Sequence, residues 1–249
     1  MNIKYAHQVY RQSKRLAIFI HGFAGSPYQF EEFFPLMDEL QFDYCSIWVP
    51  GHGGTTKDFA AATSAQWLAC AKDVIQEHRS RYETMVIIAH SMGCLLTLHA
   101  LQTLSVEGLV FWAPAISTSL SAKQIGSSIE IVFKKPADQS DITKVSLAKM
   151  GVPVPTLLEA PLWTPSMVNF LKIMVSARKL VPTITCPTLV ISSRNDETVP
   201  YRVVKMFEQR MNQNLLRVLS LNDSTHAYFL PHEWQLVASY TRAFLLRYV

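Results

Sequence analysis

One stretch constrains this chain more than any other. Residues 85–88, rich in β-branched side chains, run into Ala89, His90, Ser91, Met92 and Gly93, and an apolar run of helical character begins directly after. Ser91 therefore falls at a strand-to-helix turn. Where such a turn is sharp, strand and helix backbones come so close that the positions two residues before and after the serine must be small. Ala89 and Gly93 meet that demand. The usual pattern has glycine at both places, so the Ala89 methyl is one extra group that the turn is expected to absorb.

The rest of the chain supplies what a buried strand of this kind needs on either side. Apolar runs at 15–20, 44–49, 108–112, 188–192 and 215–221 read as further strands. Helical patterns cover 31–40, 64–81 (apolar face Trp67, Ala71, Val74, Ile75), 92–104, 199–211 and 234–248. Residues 2–13 are expected to add a short strand at the sheet edge, and Ser26 with Pro27 reads as a helix start. Strands alternating with helices predict an α/β fold with a mostly parallel central sheet and helices on both faces. In the closing helix, Leu236, Val237, Tyr240, Phe244 and Leu245 are expected to face the sheet. The alternation lapses between 117 and 184, where Pro136, Pro153, Pro155, Pro161, Pro165 and Pro182 punctuate two or three short helices, one near 166–180. The expected division is a core of 1–116 and 185–249, interrupted by a helical insertion, 117–184. Within the insertion, Lys134, Lys135 and residues 138–141 read as a solvated loop.

Composition removes several classes of function. With 49% hydrophobic and 17% charged residues over 249 positions, the chain is expected to bury a large core. A net charge of +4, with Lys and Arg scattered, gives no basic stripe for nucleic acid. The first residues lack a signal-peptide core and no run approaches the roughly 18 apolar residues of a membrane span, so a cytoplasmic protein without an integral membrane segment is expected. Cys45, Cys70, Cys94 and Cys186 lack the paired spacing of a zinc or redox site and read as buried thiols. The Gly-rich run 51–54 lacks the Lys-Ser/Thr pair of a phosphate loop and the glycine spacing of a dinucleotide fingerprint. No metal or organic cofactor is called for.

Chemistry-bearing residues collect where strands end. Gly22, Phe23, Ala24 and Gly25 follow the strand at 15–20; Pro50, Gly51, His52, Gly53, Gly54 and Thr55 follow 44–49; Ser91 follows 85–89; Asn195 and Asp196 follow 188–192; His226 follows 215–221. In parallel sheets, ligands bind outside the carboxyl ends of the strands. Taken in this order, these stretches resemble the α/β-hydrolase superfamily, and within it the small bacterial carboxylesterases and monoacylglycerol-lipase-like serine hydrolases.

The resemblance implies roles residue by residue. Ser91 is the nucleophile, His226 its base and Asp196 the acid that orients the base, in the chain order of this superfamily. The backbone N–H groups of Phe23 and Met92 form the oxyanion hole, where a preorganised donor is worth about 3 kcal/mol. His52 braces the loop. The 117–184 insertion becomes a cap, and Leu157, Leu158, Leu162, Trp163 and Phe170 either line an apolar acyl pocket or dock the cap on the core. Glu197 and His232 are rivals for the acid and the base. Side chains of neighbouring residues on an extended stretch point apart, so only one of Asp196 and Glu197 is expected to meet the histidine. His232, at the start of the last helix, is less free to reach back. His90 is expected to project away from Ser91. The implied activity is hydrolysis of a small-molecule carboxylic ester, of short to medium chain length or a monoacylglycerol. A thioesterase, an amide hydrolase or an esterase for methyl esters on a carrier protein would use the same triad. A ligand-binding protein that keeps the fold without turnover is the reading from another class.

Overall fold

The computed structural model describes residues 3–118, 141–156 and 158–249. Seven strands form one sheet, β1 (Lys4–Val9), β2 (Arg15–Ile20), β3 (Asp43–Trp48), β4 (Thr84–His90), β5 (Gly108–Trp112), β6 (Thr188–Ser193) and β7 (Leu216–Leu221), in the order β1-β3-β2-β4-β5-β6-β7. All neighbours are parallel except β1, which runs antiparallel to β3 at the edge. This is the expected α/β architecture, with the serine-bearing strand β4 between β2 and β5.

The sheet is covered on both faces, and its side chains divide by parity as a pleated strand requires. Leu16, Ile18 and Ile20 belong to one buried cluster with residues of α3 (Ser64–Arg79), α4 (Met92–Ala100) and α6 (Thr164–Ala177). Ala17 and Phe19 belong to the other, with α1 (Phe34–Glu39) and α8 (Pro231–Tyr248). All four cysteines are buried and free.

Three local departures from the sequence expectation have physical causes. The helix expected over 31–40 is a 3₁₀ turn, Pro27–Phe33, followed by α1, because Pro35 restarts the helix at its first turn. A short helix unread in the sequence, α2 (Thr56–Ala61), forms because Thr55 and Asp58 cap each other's backbone amides. In α8, Val237, Phe244 and Leu245 are buried, but Leu236 and Tyr240 are 41% and 49% exposed. The buried stripe runs instead through Glu233 and Thr241, polar residues that an apolar periodicity passes over.

Between β5 and β6 the described part of the 117–184 segment comprises α5 (Asp141–Ala148), a 3₁₀ turn at Ala160–Trp163, α6 and a second 3₁₀ turn at Val181–Thr183. Asp141, read as the end of a solvated loop, begins α5; Lys134, Lys135 and 138–140 lie outside the described residues. The insertion leaves the sheet unbroken, since β5 pairs directly with β6. It is stitched to the turn after β2: Met150 bridges Gly25, Gly151 donates to the Ala24 carbonyl at 2.9 Å, and the Ser26 hydroxyl donates to the Lys149 carbonyl at 2.9 Å. Ser26 thus takes the N-cap position of its 3₁₀ turn without capping it. No helix among the described residues is long and apolar enough to cross a membrane. α7 (Arg202–Arg210) completes the layer beside β7.

Candidate active site

Ser91 links β4 to α4 with φ 52° and ψ −112°, a conformation that costs a non-glycine residue of order 1–3 kcal/mol and is held by its surroundings. Those surroundings are specific. The Ser91 amide donates to the Trp112 carbonyl on β5 at 2.9 Å, and a Cβ at Gly93 would stand 2.1 Å from the Ile20 carbonyl oxygen on β2. Gly93 is therefore obligatory. Ala89 is fully buried within β4, and its carbonyl accepts from the Cys94 thiol at 3.2 Å, so its methyl is absorbed in the core.

The three residues expected to act together are brought together. His226 Nε2 lies 3.0 Å from Ser91 Oγ, and His226 Nδ1 lies 2.9 Å from Asp196 Oδ2. The second Asp196 oxygen accepts the amides of Thr198 and Val199 at 2.8 and 2.7 Å, which fixes the carboxylate in the β6–α7 loop. Burial disfavours the charged form of His226, but the charge and hydrogen bond of Asp196, with the charge of Glu197, outweigh it, and the pKa is raised above the ordinary value of 6.5. A histidine so placed can take a proton from Ser91 and hold it.

The loop carrying His226 is itself pinned. Glu233, in the first turn of α8, accepts the amides of Asn222 and Ser224 at 2.6 and 2.7 Å and the Ser224 hydroxyl at 2.5 Å. Burial raises the Glu233 pKa, but these bonds outweigh it and leave the carboxyl below its usual range. Asp223, His232 and Glu233 approach within 4.8 Å of one another, yet Glu233 is occupied by the loop, and the arrangement reads as a cap. His232 meets Asp223 at the surface and does not reach Ser91.

Glu197 departs from expectation. It does not compete with Asp196 for the ring; its carboxylate accepts the backbone N–H of His226 at 3.1 Å. Both neighbouring acids therefore meet the same histidine, one at the side chain and one at the peptide. His90, expected to project away, turns its ring toward His226, with centroids 4.7 Å apart. Its Nε2 also lies 2.9 Å from the His226 carbonyl, and no spacing in the sequence marks the Glu197 or the His90 bond, since both fall on main-chain atoms of His226.

The turn after β2 carries Phe23. Its neighbours are engaged: Ala24 donates to His52 Nε2 at 3.1 Å and Gly25 to the Gly22 carbonyl at 3.1 Å. The Phe23 amide has no acceptor among the described residues, and Met92, the first residue of α4, has no intrahelical acceptor for its own amide. Two unclaimed donors thus flank the serine, with the positive end of the α4 dipole behind it. His52 braces the turn as a neutral ring: its Nδ1 donates to the Val49 carbonyl at 3.1 Å, and burial outweighs that bond and pulls its pKa down to about 4.

The five residues assigned to an apolar wall separate. Trp163 and Phe170 pack on the Phe23 ring, with centroids 6.0 and 5.3 Å away, beside Phe59 and Trp67. Leu158 is 93% exposed and Leu162 39% exposed, so neither belongs to an enclosed wall; both stand in irregular or 3₁₀ segments with no buried face. Leu157 lies outside the described residues.

This chain is similar to known proteins over nearly its whole length. A thermostable monoacylglycerol lipase of Bacillus sp. (strain H-257) is 20% identical over 232 residues, 93% of this chain and 90% of that protein. Among solved structures, one reported with the metagenome-derived lipolytic enzymes LipS and LipT matches with a TM-score of 0.74 at 20% identity, covering 99% of this chain and 97% of that one. The monoacylglycerol lipase of Paleococcus ferrophilus matches with a TM-score of 0.73 at 14% identity, each chain covered in full. Such likenesses establish the α/β-hydrolase fold. Residues 11–233, which hold the serine turn, both acids and the histidine, match the family described as serine aminopeptidase, S33; the chain belongs to that family and is a serine hydrolase.

Proposed function

We propose that this protein is a carboxylesterase acting on short- to medium-chain esters, monoacylglycerols among them, through an acyl-serine intermediate. The observation that carries the reading is the unbroken contact from Ser91 through His226 to Asp196, at 3.0 and 2.9 Å. Ser91 Oγ attacks the ester carbonyl as His226 Nε2 takes its proton. The tetrahedral oxyanion rests on the amides of Phe23 and Met92, and collapse expels the alcohol with the proton from His226. Water then attacks the acyl-enzyme by the same route, releasing the acid and restoring Ser91. Residues 117–184 act as a cap, and the aromatic cluster of Phe23, Trp163 and Phe170 offers the apolar acyl chain a wall beside the nucleophile. The names of the Bacillus and Paleococcus relatives favour monoacylglycerol; the family description favours a second reading, cleavage of an amino-terminal amide.

The test is a rate series on p-nitrophenyl esters from acetate to palmitate, with monoacylglycerols and amino-acid p-nitroanilides alongside and Ser91→Ala as control. Turnover peaking at short or medium chains and lost in Ser91→Ala is expected. Anilide cleavage without ester cleavage would establish the aminopeptidase instead. Fluorophosphonate labelling no faster in wild type than in Ser91→Ala would overturn both.

A further inference from the structure

His90 immediately precedes the nucleophile, is 2% exposed and takes no part in the proposed cycle. Its Nε2 lies 2.9 Å from the His226 carbonyl oxygen, and its Nδ1 lies 3.1 Å from the Gln29 carboxamide oxygen, Oε1. A carbonyl oxygen only accepts, so Nε2 carries a proton. Complete burial, reinforced by the neighbouring His226, pushes the His90 pKa well below the ordinary range; the ring is neutral and Nδ1 is bare. In the orientation the structure shows, the same Gln29 oxygen also accepts a long 3.4 Å bond from the Gly22 amide. That orientation sets an oxygen lone pair against the bare Nδ1. The opposite one donates N–H to Nδ1, and the neutral ring selects it.

The surrounding backbone is shaped for these two side chains. A Cβ at Gly25 would stand 2.7–2.9 Å from the Gln29 carboxamide, and one at Gly22 would stand 2.9 Å from His90 Nδ1. The two glycines of the turn that presents the Phe23 amide are thus the residues that make room for the pair. Gln29 is 5% exposed and sits in the 3₁₀ turn directly after that loop.

We propose that Gln29 and His90 are positioning residues that tie the peptide of the general base to the oxyanion loop, Gln29 N–H to His90 Nδ1 and His90 Nε2–H to the His226 carbonyl. The inference rests on the assignment of His226 as the base. His226 lies between β7 and α8 in a loop without regular secondary structure, so its ring points at Ser91 Oγ only as well as its peptide is held. With Glu197 on the N–H, His90 closes the other side of the residue. A shift of about 1 Å at such a site costs on the order of 10²-fold in rate.

The experiment compares wild type with His90→Leu, His90→Gln and Gln29→Leu on p-nitrophenyl butyrate. Rates are normalised to sites titrated with a fluorophosphonate, and histidine tautomers in wild type are read by long-range ¹H–¹⁵N NMR. His90→Leu and Gln29→Leu are expected to lower kcat about 10²-fold and about tenfold per titrated site with KM unchanged. His90→Gln, whose carboxamide can still donate to the His226 carbonyl, returns to within about tenfold of wild type. Wild-type His90 is expected as the Nε2–H tautomer from about pH 5.5 to about pH 8. Wild-type kcat per site in the leucine variants, or an Nδ1–H tautomer at His90, would overturn the proposal. If His90→Leu does not fold, Gln29→Leu, His90→Gln and the tautomer decide. Should wild type neither label nor cleave any ester, the esterase reading fails, and the tautomer still reports on the relay.

Discussion

The carboxylate of Glu197 accepts the peptide N–H of His226 at 3.1 Å while the adjacent Asp196 accepts the ring N–H at 2.9 Å. Two consecutive acids fix one histidine at two points, and both favour its protonated form. The titratable groups that bear on the His226 ring are Asp196, Glu197 and the neutral His90, with the Lys149 ammonium acting on His90 from beyond it. In the proposed cycle His226 acts as a base when neutral, and its pKa is raised, so kcat/KM is expected to fall on acidification along a limb above the ordinary 6.5. Glu197→Gln keeps an acceptor for the peptide and removes the charge. The limb should then move to lower pH, with kcat at about pH 8 within about threefold of wild type; an unmoved limb in a kcat/KM–pH profile would refute the role given to the charge.

Asp196→Asn tests the ring contact separately. The amides of Thr198 and Val199 hold one oxygen of Asp196, so they should hold the asparagine oxygen and turn its NH₂ toward His226 Nδ1. The imidazole then accepts at Nδ1 and carries its proton on Nε2, facing Ser91. A ring in that tautomer is no base. A loss of about 10³- to 10⁴-fold in kcat/KM is expected with an unchanged circular dichroism spectrum.

The turn around Ser91 should be unforgiving on one side only. A methyl at Gly93 meets the Ile20 carbonyl at 2.1 Å, so Gly93→Ala is expected to abolish soluble folded protein. Ala89→Gly removes a methyl from a buried strand and should cost about 1 kcal/mol, or a fall of about 2–4 °C in Tm by calorimetry, with activity retained.

Acid lability should follow from neutral buried histidines. Burial depresses the pKa of His21, His52 and His90, with His52 reaching about 4, and also that of the partly buried His78 and His99. The unfolded chain therefore binds more protons than the folded one from the ordinary value of about 6.5 downward. Stability from these residues is complete above that value and is lost as pH falls toward the folded pKa, on the order of 3 kcal/mol for His52 alone. His226 has the opposite sign: its folded pKa is raised, so its contribution is present below about 6.5 and is lost as pH rises through the folded value. Five groups against one predict a lower thermal midpoint at about pH 4.5 than at about pH 7, and a shallower slope in His52→Gln.

The catalytic candidates were legible because each stands at the end of a strand whose residues announce it. Ile20, Trp48, His90, Ser193 and Leu221 close apolar runs, and Phe23, His52, Ser91, Asp196 and His226 follow them. Glu197, Gln29 and His90 were not legible in their contacts, because they act on peptide groups or on one another and a main-chain partner leaves no trace in side-chain spacing. The proposed apolar wall was the least legible. Leu158 and Leu162 sit in segments without a helical or strand period, and nothing in such segments states which apolar residue turns inward. Leu236 and Tyr240 failed for the converse reason: α8 buries Glu233, whose carboxylate is taken by the amides of Asn222 and Ser224, and Thr241, polar residues that an apolar periodicity passes over.

The hydrogen bond from the Ser91 hydroxyl to His226 Nε2 joins residues 135 positions apart, and His226 follows the strand at the far edge of the sheet. A ribosome that has delivered β1 to β5 has made the serine turn and its supporting strands, yet the hydroxyl at that stage is an ordinary alcohol. In the proposed mechanism, reactivity arrives with the last strand and the loop after it. Covalent labelling of Ser91 is therefore a clock for completion of the chain's folding, silent toward every intermediate in which β7 has not yet docked.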